Sequence, residues 1–243
     1  MHPDLNEHQV EAVFCDINGT LLQQRDPEYE AQVLMDILHR WHFGTRVSAS
    51  QLHDELAALH NEALTGQYSE SDLAMYTMGA AKVRVQQPIA VFICRHWASL
   101  TSQHIRVAPS VFTQFRVLSS SARSVNLFED ATHIDRNLFL ALGLVRQEDR
   151  LFLSCDLKAL KGSRHGVRAL LRASQRSAES CLMVTCDPAT ADAAKNAGMQ
   201  ALVVRHLWDK DGSLLPNPGS GADHPEIDSI DELSWAFGLE HSA

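Results

Sequence analysis

Five short runs of aliphatic and β-branched residues recur along the chain, and each predicts a buried strand. They cover residues 11–15, 124–128, 151–154, 182–185 and 201–204. Stretches with helical spacing separate the later runs. Because strands that alternate with helices usually form a parallel sheet covered on both faces, we expect a doubly wound α/β core with a Rossmann-like sheet.

The long interval between the first two runs has a different pattern. From about residue 26 to residue 105 there is no convincing strand, and apolar residues recur at the 3.6-residue spacing of helices, as at Val33, Leu34, Ile37, Leu38 and Trp41. Serine precedes ASQLHDELAALHNEAL and ESDLAMYTMGAAKV, and proline opens PIAVFICRHWASL, which are typical helix starts. We therefore predict a four-helix cap domain over residues 23–106, inserted into a core domain of residues 1–22 and 107–243.

The second half of the chain alternates more regularly. The segments THIDRNLFLALGL, GSRHGVRALLRAS and PATADAAKNAG predict helices that follow the second, third and fourth strands. The stretch LWDKDGSLLPNPGSGADHPEID is rich in Pro, Gly and Asp and predicts a loop. SIDELSWAF then predicts a short final helix.

Charged residues follow three of the predicted strands. Asp16 comes directly after the first, Lys161 lies in the turn beyond the third, and Asp187 and Asp192 follow the fourth. Ligands of parallel α/β sheets bind beyond the carboxyl ends of the strands, so these side chains are expected to meet. Three carboxylates there would bind Mg²⁺ through oxygen ligands, and a lysine would balance their charge.

These motifs together resemble one known superfamily. The order DxNGT, a helical insertion, a KG turn and then DPATAD with AAKNAGM is similar to the haloacid dehalogenase (HAD) superfamily of aspartate-nucleophile hydrolases, over about residues 10–237. The resemblance implies that Asp16 is the nucleophile and that Lys161 contacts both the nucleophile and a substrate anion. It also implies that Thr20 helps to hold the turn after the first strand.

The same resemblance implies a magnesium site. Its ligands would be the Asp16 carboxylate, the backbone carbonyl of Asn18 and the Asp187 carboxylate, with Asp192 bound directly or through water. A carboxylate nucleophile divides hydrolysis into two steps through a covalent aspartyl intermediate. Mg²⁺ and the lysine would neutralise the charge of a transferring phosphoryl group.

Two positions depart from the pattern of the superfamily's phosphatases. Asn18 stands where a second aspartate usually exchanges a proton with the leaving group, and such general acid-base help is commonly worth about 10²- to 10⁴-fold in rate. Glu129 stands near the place of a phosphate-binding Ser or Thr, where a carboxylate would repel a phosphate dianion. Thr132 would replace the missing hydroxyl if the turn is displaced by a few residues, so Thr20, Glu129 and Thr132 are the candidate substrate-binding residues.

The leading hypothesis is therefore Mg²⁺-dependent hydrolysis of a small metabolite through Asp16, at a phosphoryl centre with a good leaving group. Two alternatives remain open. One is hydrolysis of a carbon–halogen bond, or another displacement at carbon, which needs no proton for the leaving group. The other is a catalytically weakened scaffold that binds a ligand or partner.

Several candidate residues also have a purely structural interpretation. Lys158 lies three residues before Lys161 and could equally be the lysine that contacts Asp16. The two acids after the fourth strand are good helix N-capping residues. Glu129 and Asp130 would equally suit the solvent-facing end of a strand.

The amino-acid composition indicates which kinds of molecule the protein is expected to bind. The formal charge of -9, from 30 acidic and 21 basic side chains, argues against nucleic-acid binding, which needs clustered Lys and Arg. The polar start and the lack of about 18 consecutive apolar residues favour a cytoplasmic protein that does not contact membranes. Five cysteines without CxxC spacing are expected to be reduced. The expected partner is a small-molecule substrate, and the oligomeric state stays open.

Overall fold

A parallel sheet of six strands forms the centre of the molecule. The computed structural model describes residues 5–23, 26–144, 150–208, 214–216 and 224–239. The strands are β1 (Ala12–Asp16), β2 (Ser124–Glu129), β3 (Leu151–Leu153), β4 (Cys181–Thr185), β5 (Gln200–Val204), β6 (His206–Trp208), β7 (Leu214–Pro216) and β8 (Glu226–Ile227). The sheet order is β3-β2-β1-β4-β5-β8, and every pairing in it is parallel.

Helices cover both faces of this sheet and fill the insertion. They are α1 (Pro27–Arg40), α2 (Ala49–Ala63), α3 (Glu70–Ala80), α4 (Gln87–Ser102), α5 (Val111–Ser120), α6 (His133–Ala141), α7 (Ser154–Leu157), α8 (Arg164–Ser174), α9 (Pro188–Asn196) and α10 (Leu233–Ala236). The predicted doubly wound α/β architecture is confirmed.

Burial on both faces explains why the strands read as continuous apolar runs. Val13 and Cys15 of β1 point into one hydrophobic core, whereas Ala12 and Phe14 point into a second core on the opposite face. Every residue of β1 is buried. The sheet therefore carries Asp16 to its carboxyl edge on a strand that is held from both sides.

The first four helices form the insertion between β1 and β2. They share a hydrophobic core of their own, which includes Leu34, Leu38, Leu52, Met78 and Ile93. Ile134 of α6 packs against that core, so the insertion contacts the main part of the molecule. The four helices match the sequence prediction, and the boundaries of a separate cap domain stay a prediction.

The end of the chain differs from its predicted loop. β6 and β7 pair antiparallel within it, and β8 extends the edge of the main sheet beside β5. The backbone N–H of Arg205 donates to the carbonyl of Ile227 at 2.9 Å. These strands are two or three residues long, and β8 depends on the exposed edge of β5 rather than on a local pattern. Residues 209–213 and 217–223 of the predicted loop lie outside the described residues.

Candidate active site

Asp16 and Lys161 form an ion pair at the carboxyl edge of the sheet. The Asp16 side chain is buried, and its Oδ1 accepts a hydrogen bond from Lys161 Nζ at 2.5 Å. A second acid fixes the lysine, because Asp130 Oδ1 accepts the backbone N–H of Lys161 at 2.7 Å. The other lysine, Lys158, ends α7 with φ 54°, and within the described ranges no hydrogen bond or ion pair joins it to Asp16. The geometry therefore selects Lys161.

The turn after β1 is tied to the neighbouring strand. Gly19 adopts φ 77°, and its N–H donates to the carbonyl of Leu22 at 3.0 Å. Thr20 is fully buried, and its hydroxyl oxygen accepts the backbone N–H of Cys186 at 3.0 Å. Thr20 therefore links the turn to the end of β4, which fixes the position of Asp16 relative to that strand.

A second carboxylate, that of Glu129, points into the same site from the end of β2. Its Oε2 accepts the backbone N–H groups of Ile17 at 3.1 Å and of Asn18 at 2.7 Å. Its Oε1 accepts Lys161 Nζ at 2.9 Å. Glu129 is 2% exposed, so the solvent-facing interpretation of this residue is wrong. Glu129 thus occupies a set of donors that would suit an oxyanion.

Burial and neighbouring charges shift the pKa values of the ionisable groups around Asp16. Burial raises the pKa of Asp16 from its ordinary 3.8 to about 7, against the opposing effect of Lys161, and the negative charge of Glu129 adds to the rise. Burial alone would lower the pKa of Lys161, but the charges of Asp16 and Glu129 outweigh it and hold that pKa well above its ordinary value. Burial also raises the pKa of Asp130. Asp16 is therefore protonated more readily than an ordinary aspartate.

Solved structures similar to this chain share its architecture over most of its length. A 2-haloacid dehalogenase from Pseudomonas syringae pv. tomato DC3000 superposes with a TM-score of 0.63 at 17% identity, covering 94% of this chain and 98% of its own. A HAD phosphatase from Thermococcus onnurineus gives 0.58 at 18% identity, over 95% and 99%. The chain has the haloacid dehalogenase fold.

A further structure with the HAD fold contains ligands. It is a HAD family enzyme from Bacteroides thetaiotaomicron in complex with magnesium and inorganic phosphate, with a TM-score of 0.55 at 11% identity over 80% of this chain and 94% of its own. No protein-family model and no curated protein matches the sequence. At these identities the comparisons establish the fold, and the chemistry must be argued from the site.

The residues that the HAD resemblance predicts as magnesium ligands have hydrogen-bond or ion-pair partners within the chain. Asp192 is exposed, and its Oδ1 lies 2.9 Å from His224 Nε2. Asp187 caps α9, where its oxygens accept the N–H groups of Ala189 and Thr190 at 3.1 and 3.2 Å and the Thr190 hydroxyl at 2.6 Å.

The other two predicted magnesium ligands, the Asp16 carboxylate and the Asn18 carbonyl, lie beside the thiol of Cys186. The Sγ of Cys186 lies 3.9 Å from Asp16 Oδ2 and 3.5 Å from the carbonyl oxygen of Asn18. Burial and the charge of Asp16 raise the pKa of Cys186 to about 12, so the thiol is protonated at neutral pH. Among the described residues, no three His, Cys, Asp or Glu side chains converge at Asp16. Mg²⁺ requires near-octahedral oxygen ligands, and in this structure hydrogen bonds within the chain occupy the side-chain oxygens of Asp16 and Asp187.

Thr132 begins α6 as its N-cap and also lines a cavity at the carboxyl edge of the sheet. It is the N-cap of α6, where its oxygen accepts the N–H of Asp135 at 3.4 Å and its hydroxyl donates to Asp135 Oδ2 at 2.8 Å. The Asp135 carboxylate in turn accepts the backbone N–H of Thr132 at 2.9 Å. This reciprocal capping box uses the hydroxyl that was expected to replace the phosphate-binding Ser or Thr.

Thr185 is the main contact of Asp16 that the sequence did not reveal. Its hydroxyl donates to Asp16 Oδ2 at 2.7 Å and accepts the backbone N–H of Asp187 at 3.0 Å. The available signal was its place as the last residue of a strand adjacent to β1. In the sequence a threonine at that position is indistinguishable from an ordinary β-branched core residue.

A cavity of about 310 Å³ lies between the insertion and the carboxyl edge of the sheet. Its apolar wall includes Leu56, Leu59, Leu73, Trp97 and Ile134, and its polar wall includes Asn18, Glu30, His53, His60 and Asp135. The Asn18 side chain belongs to both the cavity and the turn after β1. Its Oδ1 is buried, and no partner for it exists among the described residues.

Proposed function

We propose that this chain is a hydrolase in which Asp16 displaces a leaving group from a carbon centre of a small uncharged molecule. The observation that carries the proposal is the position of Glu129. Its carboxylate accepts hydrogen bonds from the backbone N–H groups of Ile17 and Asn18 and from the Lys161 ammonium. The expected oxyanion site is thus filled by the chain itself.

Charge repulsion favours an uncharged reacting group. Two like charges 4 Å apart repel by about 4 kcal/mol at an effective dielectric of about 20. A phosphate dianion would meet both Glu129 and Asp16 at that range, with Lys161 already shared between them. A carboxylate on the substrate would meet the same repulsion. An uncharged electrophile avoids this repulsion, because it brings no further negative charge to the two carboxylates.

In the first step an Asp16 oxygen attacks the substrate carbon. A carbon–oxygen ester bond forms, and the leaving group departs with the electron pair of the bond that breaks. Lys161 and Thr185 hold the carboxylate in place. A halide needs no proton as it leaves, so an amide at Asn18 does not impair this step.

In the second step water attacks the carbonyl carbon of the Asp16 ester. Glu129 accepts the proton of that water, and Lys161 stabilises the negative charge that develops on the ester oxygen. The substrate oxygen leaves as an alcohol after taking the proton from Glu129. Asp16 is left as a carboxylic acid that carries one oxygen from water, and it becomes a carboxylate again when it releases its remaining proton to solvent.

The cavity supports a small organic substrate. About 310 Å³ lies at the lower end of the usual size of small-molecule sites, which are mostly apolar with a few polar groups. Asn18 Oδ1 offers one acceptor there with no partner in the described chain. Because buried polar atoms are normally hydrogen-bonded, a substrate N–H or O–H group would fit that atom.

One observation favours a second candidate, Mg²⁺-dependent hydrolysis of a phosphoryl compound with a good leaving group. Asp16 and Glu129 both bind the single ammonium group of Lys161, and the charges of Asp16 and Asp187 help to raise the pKa of Asp130. Such an excess of carboxylates favours a cation. The HAD phosphatase and the magnesium and phosphate complex among the similar structures agree with this candidate.

A substrate panel tests both candidates. Halide release would be measured from 2-chloropropionamide and 2-chloropropionate, and phosphate release from acetyl phosphate and p-nitrophenyl phosphate, with and without Mg²⁺. We expect halide release from the uncharged amide, without Mg²⁺, to exceed all other activities. Asp16→Asn should abolish it, whereas Asp36→Asn, which removes an exposed carboxylate from α1, should not.

The covalent intermediate has its own measurement. Single turnover in ¹⁸O-labelled water should place the label on Asp16, detected by mass spectrometry of the peptide that contains it. Phosphate release that requires both Mg²⁺ and Asp16 would favour the second candidate. Equal inertness of the wild type and Asp16→Asn on every substrate would indicate a non-catalytic scaffold.

A further inference from the structure

Three potential metal ligands converge at a place separate from Asp16. His133 opens α6, and Cys155 and Asp156 lie in α7, the short helix after β3. His133 Nδ1 lies 3.7 Å from Cys155 Sγ and 3.7 Å from Asp156 Oδ1. The three ligand atoms all lie within 4.8 Å of one another. We propose that these three side chains form a binding site for a divalent transition metal, zinc in the first instance.

The spacing of these atoms suits tetrahedral zinc. Zinc binds nitrogen and oxygen at about 2.0–2.2 Å and thiolate sulfur at about 2.3 Å, so tetrahedral ligand atoms lie about 3.3–3.6 Å apart. Two of the separations here, both 3.7 Å, need a shift of only a few tenths of an ångström. Thiolate and imidazole ligands select zinc and similar metals over magnesium and calcium. Three protein ligands leave the fourth position to water.

The direction of the contacts distinguishes a metal site from a proton relay. In a Cys-His-Asp relay the two partners face opposite nitrogens of the imidazole ring. Here the thiol and the carboxylate both face Nδ1 of His133. Ligand atoms that converge on one point are what a metal ion requires.

The backbone around the site is held in place before any metal binds. Ser154 Oγ accepts the N–H of Ala131 at 3.0 Å, and the N–H of Cys155 donates to the carbonyl of Ala131 at 3.4 Å. Arg136 binds the other oxygen of Asp156, which leaves Oδ1 facing His133. A preorganised site loses less conformational entropy when the metal binds.

The ligands of this site are accessible to solvent, and one of them lies at a close contact between the insertion and the core. The side chains of His133 and Asp156 are 28% and 35% exposed, so solvent reaches the ligands. Gly66, in the turn between α2 and α3, packs so closely that a Cβ there would lie 2.0 Å from the carbonyl oxygen of Cys155. A metal at Cys155 would therefore stiffen the contact between the insertion and the core.

Cobalt titration of the purified full-length chain tests the site, because a thiolate ligand gives Co²⁺ a charge-transfer absorption band. We expect one equivalent of Co²⁺ to produce the band and Zn²⁺ to remove it. Cys155→Ser should abolish the band and weaken zinc binding by more than about 100-fold, since loss of an outer partner alone costs about 10- to 100-fold. His133→Gln, at a partly exposed position, gives a second variant that should fold and bind weakly.

Two control variants locate the metal. Cys181→Ser, at the start of β4, and Cys186→Ala, beside Asp16, should both keep the band. Absence of the band in the wild type, or its survival in Cys155→Ser, would overturn the proposal. Loss of the band in Cys186→Ala would place the metal at the Asp16 turn and would also overturn it. None of these readouts depends on hydrolytic activity.

Discussion

The carboxylate of Glu129 accepts the backbone N–H of Asn18 at 2.7 Å. This contact places a negative charge of the chain on the turn that follows the proposed nucleophile, and Lys161 connects the two acids. The sequence pattern led us to expect a substrate phosphate near this turn, where the Glu129 carboxylate now accepts the N–H groups of Ile17 and Asn18.

Removing Glu129 should open an anion site. In Glu129→Ser, the N–H of Asn18 loses its acceptor, the Ile17 N–H and Lys161 keep only Asp16 Oδ1, and one repulsive charge disappears. We expect inorganic phosphate to bind at least about 100-fold more tightly than to the wild type, measured by isothermal titration calorimetry. Glu179→Ser, which removes an exposed glutamate elsewhere, should leave phosphate binding unchanged. Equal phosphate binding in the wild type and Glu129→Ser would contradict the blocking role.

Phosphatase activity should require two changes rather than one. Asn18→Asp alone supplies the proton-exchanging carboxylate, but Glu129 still accepts the N–H groups of Ile17 and Asn18. We therefore expect no gain in phosphate release from p-nitrophenyl phosphate. The double variant Asn18→Asp/Glu129→Ser should gain Mg²⁺-dependent phosphate release, with the acid-base group contributing about 10²- to 10⁴-fold over Glu129→Ser alone. A full gain from Asn18→Asp by itself would show that Glu129 does not block the site.

Activity should fall on the acid side of neutrality. Burial raises the pKa of Asp16 to about 7, and only the ionised carboxylate is a nucleophile. With an uncharged substrate, kcat/KM should be constant above that pKa and fall about tenfold for each pH unit below it. An aspartate with an ordinary pKa of about 3.9 would keep full activity down to about pH 5. A flat profile between pH 5 and 8 would argue against Asp16 as the titrating nucleophile.

Thr185 should act on Asp16 through its hydroxyl. The hydrogen bond to Asp16 Oδ2 lowers the pKa of that carboxylate, so Thr185→Val should move the acid limb of the pH profile to higher pH. A hydrogen bond to a charged group is worth about 1.5–3 kcal/mol, and kcat/KM should fall by at least about tenfold. Thr185→Ser keeps the hydroxyl and should restore the wild-type profile. A purely structural role would lower stability in Thr185→Val without moving the profile.

Thr132 should contribute to the stability of α6. Thr132→Ala removes the N-cap side chain and should lower the free energy of unfolding by about 1 kcal/mol, measured by urea denaturation. Thr132→Ser keeps the capping hydroxyl and should lie close to the wild type. Unchanged stability in Thr132→Ala would show that the capping box in α6 contributes little.

Local pattern alone was sufficient to predict most of the framework. The five predicted strands are apolar runs because they are largely buried on both faces, and the four inserted helices have an apolar stripe at helical spacing. The position of Asp16 at the end of the first strand also follows from the chain order. β8 was missed because two residues carry no periodic signal, and its pairing depends on β5.

The chemical character of the site was decided by tertiary structure. The register that pairs Asp16 with Phe128 sets Glu129 one residue beyond, where its carboxylate reaches the N–H groups after β1. The parallel pairing of β4 with β1 likewise places the Thr185 hydroxyl beside Asp16. Sequence determined which residues stand at strand ends, because burial and spacing are local. Which of them meet depends on strand register and side-chain direction, and these are set only when the sheet assembles.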